Sequence, residues 1–186
     1  MGEVMTIPVL IASVGALIAA VTDVRTFKVY NLLTIPLMIS GVVYHVVTNG
    51  ADGFVQSLGG ILFGVGILLL PFLMGGMGAG DVKLLAAVGA WLGMPLTLYV
   101  FIVSGLASGL CAILMVTFQH SFSEALINVQ IMWFRLDSFV RHLGSDEWME
   151  RVVPPQDRRR RVIPYGAMVA FGIFAVLIWV SVLPGR

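Results

Sequence analysis

The sequence predicts an all-α integral membrane protein: six transmembrane helices and one amphipathic helix lying in the cytoplasmic interface. Three observations lead there. Of the 186 residues, 59% are hydrophobic and 11% charged, less than half the roughly 25% charge of soluble domains; mean hydropathy is +0.98. Apolar runs near the roughly 20 residues needed to cross a bilayer recur along the chain. Basic residues gather on one side of the resulting layout. One membrane-embedded domain over 1–186 follows, with a cytoplasmic amphipathic and basic segment at about 120–161.

The first span runs from Ile7 to about Thr22, the second from about Tyr30 to Val47, the third from about Phe54 to Leu73. No basic region precedes the first, so it reads as a retained span rather than a cleaved signal. The fourth begins at Asp81 and ends near Gly93. That stretch rises only about 20 Å, too little for a core of about 30 Å. Either it starts recessed within the membrane, or the run from Val82 to Phe118 is one long element. The fifth span covers about Pro95 to Phe118, the sixth about Val162 to Leu183.

Charge separates these options. With six spans, one side receives Arg25, Lys28, Lys83, Arg135, Arg141, Arg151 and Arg158 to Arg161, and the other only Arg186. Merging spans four and five would put the basic segment opposite Arg25, Lys28 and Lys83, against the positive-inside rule. Both termini are therefore expected outside the cytoplasm.

Between spans five and six, Phe122, Leu126, Val129, Trp133, Leu136, Val140 and Leu143 recur at steps of three and four. That is one helical stripe. It suits a helix in the cytoplasmic interface or a helix capping the bundle. Val153-Pro154-Pro155 ends it, and Arg158-Arg159-Arg160-Arg161 fits anionic headgroups better than nucleic acid.

Carboxylates are rare in the apolar part of the chain. Glu3 and Asp52 fall at outer ends or turns; Asp23 and Asp81 remain, each at a span boundary. Such groups are costly at membrane depth, which makes function the default reading over a headgroup-level helix end. Asp23 closes the first span, and Asp81 opens the fourth on the same side after spans two and three make one round trip. Two acids that approach each other can share one proton. The ionised member then takes a proton from water while the protonated member polarises a scissile carbonyl. That is the chemistry of an aspartyl protease.

Asp81 follows Gly75-Gly76-Met77-Gly78-Ala79-Gly80. Four glycines in this run argue against helix and for positive φ or close backbone approach. Irregular backbone at this depth needs protein or a water-lined cavity to satisfy it, and such a loop can pair with an extended substrate. The alternative is a flexible turn capped by an aspartate.

Gly-Met-Gly-Ala-Gly-Asp-Val-Lys-Leu at residues 76–84 resembles the GxGD motif of the type IV prepilin peptidase family. Asp23-Val24-Arg25 with Val29-Tyr30-Asn31 is similar to that family's first motif, although Tyr30 stands where the family usually has proline. Pro164-Tyr165-Gly166-Ala167 resembles its motif at the start of the last span. The resemblance implies a catalytic pair, Asp23 and Asp81, on the cytoplasmic side of a bacterial inner membrane. It implies removal of the leader peptide from precursors of type IV pilins, before their hydrophobic helix. Larger members carry an N-terminal region with paired CxxC motifs linked to N-methylation. The single cysteine, Cys111, and the early first span resemble the short, peptidase-only type of Flp (Tad) pilus systems.

Gly76, Gly78 and Gly80 are expected to contact substrate backbone, and Tyr165 to orient substrate through its hydroxyl. Arg25 and Lys83 are expected to tune the pair or simply to mark the cytoplasmic edge. His45, His120 and His142 are scattered, so no metal is expected, and no cofactor. The expected partners are a prepilin with an N-terminal hydrophobic helix and the lipid bilayer, with no nucleic acid. The rival reading is a small proton-coupled transporter, or a non-catalytic pilus or secretion assembly subunit, using the two aspartates for proton coupling.

Overall fold

The computed structural model describes residues 2–26, 29–73, 77–118 and 165–182, and all regular structure among them is helical. Four elements lie among the described residues: α1 (Gly2–Thr26), α2 (Asn31–Leu73), α3 (Ala79–Phe118) and α4 (Tyr165–Val182). The stretches Ile7–Arg25, Asn31–Leu73 and Ala79–Leu114 are each long and apolar enough to cross a membrane; α4 holds a shorter apolar stretch, Gly166–Val176. The amphipathic segment expected between residues 121 and 161 lies outside the described residues.

Neither α2 nor α3 is one straight rod. A straight helix of the 43 residues in α2 would be about 65 Å long, and Gly41 would stand about 24 Å from Ser57. Instead the Ser57 hydroxyl oxygen lies 3.4 Å from the Gly41 carbonyl oxygen. The chain folds back at Gly50, where φ is 59° and ψ −133°. Glycine suits this left-handed φ because a Cβ would be strained there. Just beyond, a Cβ at Gly53 would fall onto the His45 carbonyl. The two limbs, 31–49 and 51–73, therefore lie antiparallel. α3 breaks at Gly93, with φ 70° and ψ 174°. These breaks fall where the sequence places the turn between spans two and three and the end of span four.

The first limb of α3, residues 79–92, fills the space between the limbs of α2. Against the second limb, Gly60 meets Gly89 backbone to backbone, and a Cβ on Gly64 would lie 2.8 Å from the Leu85 carbonyl. Against the first limb, a Cβ on Gly41 would lie 3.0 Å from the carbonyl carbon of Ala90. Small residues on α2 thus let three helices approach closely, the packing mode expected where lipid replaces water. Every residue from Leu84 to Leu92 is buried as a result.

The break at Gly93 disturbs the hydrogen bonds of α3, and Pro95 cannot supply the N–H that would reach the Trp91 carbonyl. Side chains replace these donors. His45 Nε2 lies 2.9 Å from the Trp91 carbonyl; since a carbonyl only accepts, Nε2 carries the hydrogen. The Ser57 hydroxyl takes the Ala90 carbonyl at 2.7 Å, and Thr97 takes that of Gly93 at 2.6 Å. Trp91 Nε1 donates in turn to the Leu37 carbonyl at 2.7 Å.

α4 packs against α1 and the second limb of α3. Val169, Ile173 and Val176 join Ala12, Ala16 and Ala19 of α1 in the core. A Cβ on Gly172 would lie 2.8 Å from the Val100 carbonyl. The exterior is apolar: Leu10, Val55, Leu62, Leu106 and Leu110 all stand exposed. An apolar surface of this extent needs lipid or protein to cover it.

Candidate active site

Asp23 lies in the last turns of α1 and is 2% exposed. The carbonyl end of its own helix disfavours a carboxylate there. Another helix contributes a donor: the Gly166 N–H, in the first turn of α4, donates to Asp23 Oδ2 at 2.8 Å. That N–H is one of the first four of α4, which have no partner within their own helix. Gly166 is glycine because a Cβ would sit 3.0 Å from Oδ2 and 3.2 Å from the Asp23 Cβ.

Asp81 is the third residue of α3 and is 4% exposed. Its Oδ2 accepts from the Gly78 N–H at 3.2 Å, while its own N–H donates to the Gly78 carbonyl at 3.0 Å. Gly78 is thus the N-cap of α3, and Asp81 reaches back to it as the third residue of a capping box does. The helix starts at Ala79, two residues earlier than the sequence suggests. No described glycine of the Gly-rich run has positive φ; among described glycines only Gly50 and Gly93 do. What the motif exploits is closeness. A Cβ on Gly80 would come within 3.0 Å of the Val29 Cβ and 3.3 Å of its carbonyl oxygen.

The same short segment ties the two aspartates' surroundings together. Val29 packs on Gly80, and Asn31 Oδ1 accepts from Lys83 Nζ at 3.0 Å. Only about 20 Å of extended chain can separate Asp23 from Val29, so Asp23 and Asp81 lie at the same end of the bundle. The first and second motifs meet through Val29, Asn31, Gly80 and Lys83; the first and third meet through Asp23 and Gly166.

Other expected residues are placed as follows. Arg25 is exposed in the last turn of α1, and Lys83 is exposed beside Asn31. Gly78 is buried and its N–H serves Asp81; Gly80 is already helical. Tyr165 opens α4. Gly76 and Lys28 lie outside the described residues. Sequence reasoning assigned no role to Asn31 or Gly166. Each stands inside a motif, which was the available signal, but only the fold shows what each touches. His45 is a buried donor at the far end of the bundle.

The sequence profile of the type IV leader peptidase family matches residues 10–113. That is more than half of the chain and includes Asp23 and Asp81. Comparison with curated proteins and with solved structures gives no match.

Proposed function

This chain belongs to the type IV leader peptidase family, and from that premise we propose that it is a membrane aspartyl endopeptidase acting through Asp23 and Asp81. One observation carries the reading. Two buried carboxylates, each accepting a backbone N–H from a helix start, lie at one end of an apolar bundle. Burying a carboxylate in such surroundings is costly, and a purely structural role would be served by an uncharged cap.

The substrate is the N-terminal leader of a type IV prepilin of the Flp kind, whose hydrophobic helix docks in the bilayer beside the bundle. The pair holds one proton between its two carboxyls. The ionised carboxylate takes a proton from water as the water oxygen attacks the scissile carbonyl, and the protonated partner gives its proton to the carbonyl oxygen. Collapse of the tetrahedral intermediate breaks the C–N bond, and a proton passes to the departing amine. The leader leaves with a new carboxyl terminus, the pilin with a new amino terminus. These 186 residues hold one cysteine, Cys111, half-buried in α3. They offer no paired CxxC site, and the proposed activity is cleavage without N-methylation.

We read the breaks at Gly50 and Gly93 as turns between spans, giving six crossings with the segment at 120–161 as a cytoplasmic interfacial helix. The excess of basic residues on one side supports this orientation. It sets the aspartates toward the cytoplasm of a bacterial inner membrane, with both termini on the other side.

The test is co-expression with small prepilins, read by mass spectrometry of the pilin N-terminus. The wild type should yield the shortened product. Asp23→Asn and Asp81→Asn should each leave the precursor intact while accumulating normally, since neither amide can take up or release the shared proton. Normal cleavage by either purified variant would remove that residue from the mechanism.

A further inference from the structure

The motif that opens the last helix has no task in the mechanism above. We propose that Gly166 is the positioning residue for Asp23, holding one carboxylate oxygen by its backbone N–H so that the other edge of the carboxylate faces its reaction partner. The inference rests on Asp23 being catalytic.

Three features of the site support it. The hydrogen bond is short, 2.8 Å, and buried, and it joins residues 143 apart in sequence. Asp23 sits at the carbonyl end of α1, where the dipole of its own helix disfavours a carboxylate. The first turn of α4 offers both a free N–H and the favourable end of a dipole. Finally, the fit leaves no room. A Cβ on Gly166 would press on Oδ2, Cβ and Cγ of Asp23, at 3.0, 3.2 and 3.4 Å. The whole side chain of Asp23, rather than one atom, is seated on Gly166.

A second glycine on the same helix gives the control. Gly172 packs α4 against α3, where a Cβ would meet the Val100 carbonyl at 2.8 Å and Ser104 at 3.3 Å. It stands about 9 Å along α4 from Gly166. Alanine there strains the packing of α4 without touching Asp23. If Gly166 matters only because α4 must pack tightly, both glycines should behave alike. If it positions Asp23, only Gly166 should affect the chemical step.

The experiment compares purified Gly166→Ala, Gly172→Ala and Asp23→Asn, using a fluorogenic prepilin peptide in detergent. Misplacing a reacting group by about 1 Å can cost about 10²-fold in rate. Gly166→Ala should therefore lose about 10²-fold in kcat, with KM within about twofold of wild type and normal accumulation. Gly172→Ala should melt earlier yet keep kcat at temperatures where it is folded. Wild-type kcat in Gly166→Ala, or an equal loss of kcat in Gly172→Ala, would overturn the inference. Full activity in Asp23→Asn would instead sink the functional reading, and this one with it.

Discussion

Polar groups are shut away at both ends of the buried limb 79–92, and the two ends satisfy them in opposite ways. At the Gly93 end, the unmatched groups are backbone carbonyls left by a helix break and a proline. Side chains supply the donors: His45 for Trp91, Ser57 for Ala90. At the Asp81 end, the demanding groups are side-chain carboxylates. The backbone supplies the donors, through Gly78 and Gly166. The first arrangement repairs a fold. The second holds buried acids, which are costly in apolar surroundings. Among the described residues, buried acids lie at one end only, each taking a backbone N–H from a helix start; on the proposed function, the bundle keeps its structural end apart from its chemical end.

That separation can be broken by substitution. The largest effect is expected at the glycine crossing in between. Gly60→Ala places a Cβ onto the Gly89 carbonyl, so α2 and α3 must move apart. Overpacking of this kind costs typically about 1–3 kcal/mol, and contact with backbone puts this site at the upper end. Thermal aggregation in detergent should show it, with activity lost in proportion to the folded fraction. A variant as stable as wild type would mean that the helices cross differently.

An intermediate effect belongs to the Gly93 end. His45 is 5% exposed, and His45→Leu leaves the Trp91 carbonyl without its donor. An orphaned buried acceptor costs about 1–3 kcal/mol. His45→Gln, whose amide nitrogen takes the place of Nε2, should recover most of that stability; His45→Asn should not. All three should cleave normally while folded. A kcat loss in the stable Gln variant would show that the two ends are not separate after all.

The smallest effect is expected at Lys83, whose bond to Asn31 is exposed. Lys83→Met should lower kcat/KM by less than about tenfold, in line with about 0.5–1.5 kcal/mol for one hydrogen bond. A loss as deep as that of Asp81→Asn would make the ammonium part of the chemistry.

The sequence shows the long helices plainly, because apolar runs and their interruptions are local. Asn49-Gly50-Ala51-Asp52-Gly53 and Gly93-Met94-Pro95 interrupt them, and both helices break there. It also singles out Asp23 and Asp81, because an acid stands out against so few charges. It does not show which donors meet them. The partner of Asp23 is 143 residues away, and nothing near Asp23 points to it. The reason for His45 was hidden in the same way, since it answers a missing N–H at Pro95. The glycines before Asp81 are open in the sequence to two readings, freedom of φ or close approach, and Gly80 serves close contact with Val29. Absence of a side chain looks identical in a sequence whichever purpose it serves.

The bond between Asp23 and Gly166 also orders events in time. α1 is made before α4, and chains fold from the N-terminus as they are synthesised. Until α4 is made, the bond from the Gly166 N–H to Asp23 cannot form, while α2 and α3 enter the membrane. That contact is closed by α4, as a clasp closes a chain. A product truncated before α4 therefore carries both aspartates but lacks the contact that seats the first of them.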